Sequence, residues 1–407
     1  MTERITWTMN ALPKTDDAYL ASFSSEHAAA ARAFHESFPQ YAPTPLAQLK
    51  CQAKHLGLCS LNVKDESYRF GLNAFKVLGG SFAIANHVAE ATGKPVAEVD
   101  YGYLTSEELA RDFGSCTFFT ATDGNHGRGV AWAAHELGQK AVVRMPKGTT
   151  ETRRDNIAKL GATVTIEDAN YDECVRMAAA EAAACDNGVV VQDTAWEGYE
   201  KIPLWISQGY TTMASEAADQ LAHAGIRPTH VFIQAGVGSM AGAVVAYFAN
   251  RFPDNPPTFV VVEASNAACL YKSACASDGN PHAVTGDMPT VMAGLACGEP
   301  NTQTWDILKN HVTAFVACPD WVTARGMRRL SSPLENDPRV VSGESGAVGV
   351  GLVCTLMEDD SYADLREALG LSAESNVLAF STEGDTDPDR YREIVWEGAL
   401  PGVEGLA

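Results

Sequence analysis

The sequence has little positive charge: its 407 residues include 30 lysines and arginines against 51 aspartates and glutamates, a net charge of −21. This balance disfavours nucleic acids and anionic membrane surfaces as partners. There is also no CxxC pair among the ten cysteines and no HExxH motif. The cysteine spacing therefore gives a zinc site no support, and we expect no bound metal and buried, reduced thiols.

The sequence also lacks an export signal, because the segment from Met1 to Ala30 carries charges throughout and has no apolar core stretch. We therefore expect a cytoplasmic protein. The longest uncharged run, residues 231–250, is long enough to span a membrane, but Gln234 and the glycines near its start favour a strand, a loop and a helix. With 46% hydrophobic residues, the chain is long enough for two domains.

Apolar, strand-like segments alternate with helical segments along most of the chain. Such alternation predicts βαβ units and open, parallel α/β sheets, and two sheets are expected because the pattern occurs in two series. The predicted strands begin near residues 116, 141, 162, 188, 230, 258 and 377. Ligands of such sheets bind where strands end and helices begin, so the loops at these points are candidates for chemistry.

The first candidate is Lys76, in the segment GLNAFKVLGGSFA, where it has apolar neighbours and precedes Gly79 and Gly80 at a predicted helix start. A lysine held in apolar surroundings has a lowered pKa and can act as a nucleophile or form a Schiff base. The alternative is a lysine whose methylene groups pack against these apolar neighbours while its ammonium reaches water.

The second candidate is the segment QAGVGSMAGAVV, which follows a predicted strand and opens a helix. The spacing of Gly236, Gly238 and Gly242 allows successive backbone N–H groups to converge on an anion, which favours a phosphate ligand. No Walker lysine follows, and no acid is placed for a ribose. Close strand–helix packing is the alternative explanation of these glycines.

The third candidate is TATDGNHGRG, a glycine-rich loop that contains an acid, Asp123. Gly124, Gly127 and Gly129 permit close backbone approach and positive φ, so the loop could hold a ligand. An Asx turn that closes the loop is the alternative role for Asp123.

Together, and in this order along the chain, these segments resemble the pyridoxal-phosphate enzymes of the tryptophan synthase β type, or fold type II. NAFK stands where many members have Ser-Phe-Lys, DGNHG where dehydratases have Ser- or Ala-Gly-Asn-His, and GVGSM where the phosphate binds. The resemblance runs from about Tyr41 to Asp387. It implies a tryptophan synthase β-like α/β fold: two open-sheet domains with the cofactor, pyridoxal 5′-phosphate, in the cleft between them. The large domain would comprise residues 1–86 and 194–407, and the small inserted domain residues 87–193.

The resemblance also implies roles for individual residues. Lys76 would form a Schiff base with the cofactor and then act as general base at the substrate Cα, and Asn125 would hydrogen-bond the cofactor's 3′-hydroxyl. Ser381 or Thr382, between which spacing does not decide, would meet the pyridine nitrogen. Glu344 would lie in the same neighbourhood, or it caps a helix. The phosphate would bind the backbone of Gly236, Val237, Gly238 and Ser239.

Two acids are further candidates for catalysis. At Asp123 the sequence departs from the hydroxy-amino-acid dehydratases, which have a small neutral residue there. Its carboxylate would pair with a β-ammonium group of the substrate and could take the α proton of a D-amino acid on the face opposite Lys76. Asp193, in VVVQDTAWEGYEKIP, would face the same pocket, or it caps a helix or a turn.

Within the family, the segments MAGLACGEP, SGESGAVG and STEGDTD resemble members that release ammonia from 2,3-diaminopropionate. We therefore expect a carbon–nitrogen lyase that eliminates ammonia from D- and L-2,3-diaminopropionate, and a homodimer, as is the family habit. A serine or threonine ammonia-lyase is the alternative, and a non-catalytic ligand-binding protein on the same scaffold is a distant one. Enantiomer preference, monovalent-cation dependence and a pairing of Cys269 or Cys275 with Cys297 stay open.

Overall fold

The computed structural model describes residues 4–122, 124–196 and 198–402. Eleven strands lie within these residues: β1 (Thr6–Met9), β2 (Leu46–Gln48), β3 (Ser60–Asp65), β4 (Thr117–Ala121), β5 (Lys140–Met145), β6 (Thr163–Ile166), β7 (Gly188–Val190), β8 (His230–Gln234), β9 (Thr258–Ala264), β10 (Ala314–Cys318) and β11 (Asn376–Ser381).

The helices of the described residues are α1 (Ser25–Glu36), α2 (Lys50–Leu56), α3 (Val77–Thr92), α4 (Tyr101–Leu104), α5 (Glu107–Asp112), α6 (Asn125–Glu136), α7 (Glu151–Ala158), α8 (Tyr171–Ala184), α9 (Lys201–His223), α10 (Ser239–Arg251), α11 (Cys269–Ala276), α12 (Thr302–His311), α13 (Asp320–Ser331), α14 (Val348–Glu358), α15 (Ala363–Ala368) and α16 (Pro388–Val395). Short 3₁₀ helices span Leu20–Phe23, Glu66–Gly71, Val96–Glu98, Ser265–Ala267, Ala293–Leu295 and Asp360–Tyr362.

The chain forms two compact units, and the first contains the described residues of 4–24, 43–74 and 213–402. Its sheet has seven strands in the order β1-β10-β9-β8-β11-β3-β2. The five inner strands are parallel, and the apolar runs of β8, β9 and β10 are buried because helices cover both faces of such a sheet. The predicted strands at 230, 258 and 377 are confirmed as β8, β9 and β11.

Both edges of this sheet differ from the predicted all-parallel arrangement, since β1 pairs antiparallel with β10 and β2 pairs antiparallel with β3. These edge strands contain four and three residues, and neither has more than two apolar residues in succession. A short segment of this kind carries too few residues for a period to be recognised.

The second unit contains residues 25–42 and the described residues of 75–212. Its sheet is parallel throughout, in the order β6-β5-β4-β7, and confirms the predicted series of strands near 116, 141, 162 and 188. The predicted inserted domain, residues 87–193, lies within this unit, which also takes in residues 25–42, 75–86 and 194–212. The predicted domain boundaries themselves stay a prediction.

A close approach of two helices fixes the start of α3 in the second unit. A Cβ added to Gly129 on α6 would lie 2.8 Å from the Cα of Val77, the first residue of α3, and 3.0 Å from the carbonyl carbon of Lys76. Because any larger residue at position 129 would place its Cβ too close to the backbone of α3, only glycine permits this approach. Gly129, the last glycine of the third candidate segment, therefore allows α6 to lie directly against the backbone at Lys76.

The uncharged run at 231–250 divides into β8, a loop and α10, as predicted. Within the described parts of the chain, none of the helices combines the length and apolarity that crossing a membrane requires.

Candidate functional site

Lys76 is the residue that immediately precedes the first turn of α3, and its ammonium forms an ion pair in the second unit. Its Nζ lies 2.6 Å from Oδ2 of Asp193, which follows the end of β7 by three residues. The lysine side chain is 22% exposed and the aspartate side chain 8%, so the pair is sheltered while part of the lysine side chain reaches solvent.

Asp193 is a carboxylate at neutral pH. Burial on its own would raise the pKa of Asp193, but the charge of Lys76, assisted by His126 and by the hydrogen bond from Lys76, lowers this pKa below its usual range. The structure therefore brings together Lys76 and Asp193, two of the predicted catalytic residues, as an ion pair of a lysine and an ionised acid.

Lys64 shows what a buried lysine looks like when it has a structural role. In the first unit its ammonium donates to the carbonyl oxygen of Thr44 at 2.7 Å, to Glu216 Oε2 at 2.6 Å and to Gln220 Oε1 at 3.0 Å. Burial lowers the pKa of Lys64, against the opposing charge of Glu216. Since an ammonium has three hydrogens, these acceptors use the whole donor capacity of Lys64, which has no exposed surface.

The third candidate loop contributes the start of α6. Asn125 is the first residue of α6 and is half-buried, and Nε2 of the neighbouring His126 lies 2.8 Å from the carbonyl oxygen of Val191, two residues before Asp193. This contact ties α6 to the segment that carries Asp193. Asp123, the predicted second base, lies outside the described residues.

The glycine loop of the first unit joins β8 to α10, as predicted. Gly238 caps α10 with φ +102°, a conformation that favours glycine, and a Cβ there would lie 3.1 Å from Leu308. The first N–H groups of a helix have no acceptor within the helix, so this end of α10 attracts anions. Ser239 Oγ accepts a hydrogen bond from Asn301 Nδ2 at 2.9 Å, which orients the hydroxyl at the same end.

Ser381 and Thr382 lie at the end of β11, beside the end of β8. Gln234 Nε2 donates to the carbonyl oxygen of Phe380 and to Thr382 Oγ1, both at 2.9 Å. Ser381 Oγ lies 2.8 Å from Ser342 Oγ. Both candidate hydroxyl groups are buried, and each is held by a polar side chain.

Glu344 is also buried in this unit, in the segment that precedes α14. Its carbonyl oxygen accepts a hydrogen bond from Thr323 Oγ1, and the backbone N–H of the next residue, Ser345, donates to Glu383 Oε1 at 2.9 Å. The cap residue of α14 is Ala347, so Glu344 lies three residues before the position that its alternative role requires.

All ten cysteines fall within the described residues, and there they are free thiols. Cys269 Sγ lies 3.6 Å from the carbonyl oxygen of Gly236 and 3.7 Å from that of Cys297. Burial, reinforced by the charge of Glu263, raises the pKa of Cys269, so this thiol stays protonated beside the glycine loop. Groups of His, Cys, Asp and Glu able to hold a metal ion are absent from the described residues.

Two residues that sequence reasoning missed support this site. Gln234 holds Thr382, and Asn301 holds Ser239. The available signal for Gln234 was a polar side chain that follows three apolar residues in a buried strand. Asn301 caps α12, a role that asparagine favours at many helix starts, and nothing local distinguishes it from an ordinary cap.

Comparison with known proteins identifies the family to which these features belong. Residues 38–382 match the model of the family described as pyridoxal-phosphate dependent enzyme. A diaminopropionate ammonia-lyase of Salmonella typhimurium is 51% identical over 368 residues, which cover 90% of this chain and 91% of the relative.

Solved structures agree with the sequence relatives. The Escherichia coli diaminopropionate ammonia lyase in complex with D-serine matches with a TM-score of 0.89 at 45% identity, over 98% of both chains. The same E. coli protein in complex with an aminoacrylate-PLP azomethine reaction intermediate matches with a TM-score of 0.87 at 45% identity and the same coverage.

Proposed function

Because the chain belongs to the family of pyridoxal-phosphate dependent enzymes, we propose that it eliminates ammonia from 2,3-diaminopropionate, of either D or L configuration. The overall reaction consumes one water and yields pyruvate and two ammonia. The observation that carries the proposal is the ion pair between Lys76, at a helix start, and the buried Asp193, in a chain that is similar over nearly its full length to diaminopropionate ammonia-lyases.

The chemistry of the described residues fits pyridoxal 5′-phosphate. The start of α10, with the backbone of Gly236, Val237, Gly238 and Ser239, supplies N–H groups and a hydroxyl for a phosphate. A Cβ at Gly236 would lie 3.3 Å from the carbonyl oxygen of Gly294, so there is little space for a side chain at this position of the loop. Lys76 supplies the amine for an aldehyde, and Asn125 supplies an amide for the ring hydroxyl.

When bound, the cofactor supplies the electron sink that makes the α proton of an amino acid removable. Lys76 is the residue that holds the cofactor and, once displaced by the substrate, accepts the proton from Cα of the L-enantiomer. Its 22% exposure leaves room for the amine to exchange partners, unlike the enclosed Lys64.

Asp193 binds the β-ammonium group of the substrate and so selects an ammonium leaving group over a hydroxyl. An ionised, sheltered carboxylate attracts a cation strongly, and in this structure the charge of Lys76 outweighs burial and holds the pKa of Asp193 below its usual range. Asp123 serves as the base for the D-enantiomer. A serine or threonine ammonia-lyase is the alternative function, and the acid at position 123 argues against it.

Thr382 donates its hydroxyl hydrogen to the pyridine nitrogen. Gln234 occupies an acceptor position of Thr382 Oγ1, so the hydrogen of this hydroxyl points elsewhere, whereas Ser381 already pairs with Ser342. Glu344 contributes through its neighbour, because the backbone N–H of Ser345 donates to Glu383, the residue that follows Thr382.

The enzyme works in the cytoplasm as a homodimer on a small-molecule substrate. The excess of acidic residues, which disfavours binding to anionic membranes, supports the cytoplasmic location, and the habit of the family supports the homodimer. Gel filtration with light scattering measures the oligomeric state directly.

The proposed function is tested by measuring pyruvate release from D- and L-2,3-diaminopropionate, L-serine and L-threonine by the purified protein loaded with cofactor. We expect kcat/KM for both diaminopropionate enantiomers to exceed that for serine and threonine by at least about tenfold, the factor that one well-placed charged contact supplies. A preference for serine or threonine would support the alternative function instead.

A further inference from the structure

Tyr210, on α9, has a buried hydroxyl that the chemistry above does not use. The residue has 0% exposed surface, and its hydroxyl oxygen makes no hydrogen bond to the part of the chain that the structure describes. An unsatisfied buried hydroxyl is costly, and few native proteins keep one without a reason.

The ring of Tyr210 packs against the turn that carries Lys76. Its centroid lies 4.8 Å from that of Phe75, the residue before Lys76. A Cβ added to Gly79, one helical turn after Lys76, would lie 2.7 Å from Cε1 and from Cζ, the carbon that bears the hydroxyl. The hydroxyl end of the ring therefore occupies the space that a side chain at position 79 would fill, in the first turn of α3, which Lys76 immediately precedes.

The ion pair of Lys76 and Asp193 supplies the charges that act on this hydroxyl. Burial raises the pKa of Tyr210, with Lys76 lowering it and Asp193 raising it, so the hydroxyl is a neutral donor. Among the described residues, His126 and Tyr199 also interact electrostatically with Asp193.

Tyr199 cannot serve Asp193 in the same way, because its hydroxyl is already engaged with the backbone. It donates to the carbonyl oxygen of Val190 at 3.0 Å and accepts from the N–H of Gln192 at 2.7 Å. Tyr210 is thus the tyrosine near the pair whose hydroxyl hydrogen has no acceptor in the described residues.

Covalent binding of the cofactor would reduce the number of hydrogens that the Lys76 nitrogen can donate to Asp193. An ammonium has three hydrogens, whereas the nitrogen of an imine carries at most one. Asp193 would then lose the ammonium with which it pairs in this structure, and a buried carboxylate that loses a charged partner is strongly disfavoured.

We propose that the Tyr210 hydroxyl replaces the Lys76 ammonium as hydrogen-bond donor to Asp193 while Lys76 holds the cofactor. Tyr210 is then a positioning residue: it keeps the carboxylate ionised and in place for the β-ammonium group of the substrate. The inference rests on the proposed function, in which Lys76 binds the cofactor covalently.

A double-mutant cycle on cofactor affinity tests the inference without measuring turnover. Pyridoxal phosphate is titrated into the cofactor-free, full-length wild type, Tyr210→Phe, Asp193→Asn and the double variant, and the dissociation constants are compared. We expect Tyr210→Phe to weaken cofactor binding about tenfold when residue 193 is aspartate and clearly less when it is asparagine, because the hydrogen bond lost has a charged acceptor only in the first case.

Tyr103→Phe is the matched control, since it removes another hydroxyl of the second unit that lacks a partner in the described residues. It should leave cofactor affinity unchanged. The stability of the cofactor-free protein should be unchanged or higher in Tyr210→Phe, because the hydroxyl removed there makes no hydrogen bond in the described part of the chain.

Three outcomes would overturn the inference: an equal loss of affinity in both backgrounds, no loss in either, or a cofactor-free Tyr210→Phe protein that is less stable than the wild type. Pyruvate release separates this inference from the proposed function. If the two substitutions show no coupling in cofactor affinity and the enzyme releases pyruvate from 2,3-diaminopropionate, the role of Tyr210 is refuted and the proposed function stands. If the coupling is tenfold and the protein releases no pyruvate, the proposed substrate is refuted and the role of Tyr210 stands.

Discussion

Gln234 Nε2 lies 2.9 Å from the hydroxyl oxygen of Thr382, at the point where the parallel strands β8 and β11 end side by side. The same amide nitrogen donates to the carbonyl oxygen of Phe380, which fixes the orientation of the Gln234 side chain. Thr382 is therefore an acceptor towards Gln234, and its own hydrogen is available for a ligand.

Replacing Thr382 with valine keeps the shape of the side chain and removes the hydrogen that we assign to the pyridine nitrogen. We expect kcat for L-2,3-diaminopropionate to fall about tenfold, the value of one hydrogen bond to a group that gains charge in the reaction. Thr382→Ser should restore most of the activity. Ser381→Ala is the control, and a larger loss in this variant than in Thr382→Val would reverse the assignment.

Replacing Lys76 with alanine removes the amine that we assign to the cofactor aldehyde. The variant should still bind pyridoxal phosphate weakly through the phosphate loop, but without the visible absorbance of a lysine-bound cofactor. Elimination from L-2,3-diaminopropionate should fall by at least about 10²–10⁴-fold, the range for loss of an acid–base group. A spectrum identical to that of the wild type would refute the role of Lys76.

Asp193 makes the stability of the cofactor-free protein depend on pH. Because its pKa in the folded state is lowered, the stabilisation is fully present above the unfolded pKa of about 4 and is lost as the pH falls through the folded value. We expect Asp193→Asn to reduce the free energy of unfolding by about 2 kcal/mol at pH 7 and by progressively less below about pH 4.

Urea unfolding at several pH values measures this difference. Asp168→Asn provides the control, because Asp168 pairs with Lys147 on the surface, where both side chains are more than 70% exposed and such a pair contributes little. A gap between the wild type and Asp193→Asn that stays constant down to pH 3 would show that Asp193 stabilises the fold by packing and not by its charge.

Replacing Gly238 with aspartate should weaken cofactor binding by about 100-fold or more. The change puts a side chain into a positive-φ position 3.1 Å from Leu308 and a negative charge beside the phosphate site. Gly370→Asp is the matched control, since Gly370 also has positive φ but open space around its Cβ. If both variants bind the cofactor equally well in a titration, the phosphate binds elsewhere.

Asp123→Asn tests the assignment of the second base, which comes from the sequence. The substitution preserves the shape of the side chain and removes its basicity, so the visible spectrum should be retained. We expect kcat/KM for D-2,3-diaminopropionate to fall about 10²–10⁴-fold and that for the L-enantiomer to fall much less. An unchanged ratio of the two values would leave Asp123 as a turn residue or as a partner of the β-ammonium group.

The local sequence pattern was enough to predict those parts of the site whose residues are neighbours in the chain. The helix start after Lys76 and the strand, loop and helix around Gly238 were predicted because apolar periods and glycines mark them. The ion pair of Lys76 with Asp193 was not, because it joins residues 117 positions apart. A contact of that kind depends on how strands and helices pack, and the local spacing of apolar residues does not predict this packing.

The edges of the large sheet and the supporting residues were missed for related reasons. β1 and β2 are too short to show a period, and their antiparallel pairing depends on where the chain enters the sheet. Tyr210 lies in a long helix among other buried residues, where a tyrosine is an ordinary core residue. Only the missing partner of its hydroxyl in the described residues distinguishes it.

The central claim is that Lys76 carries the cofactor, and the most direct test is to locate the bond. Borohydride reduction of the loaded enzyme fixes the cofactor to its lysine, and mass spectrometry of the digested protein then identifies the modified residue. We expect the pyridoxyl group on Lys76 and none on Lys64, whose three hydrogens are held by Thr44, Glu216 and Gln220. Modification of a different lysine, or of none, would contradict the account.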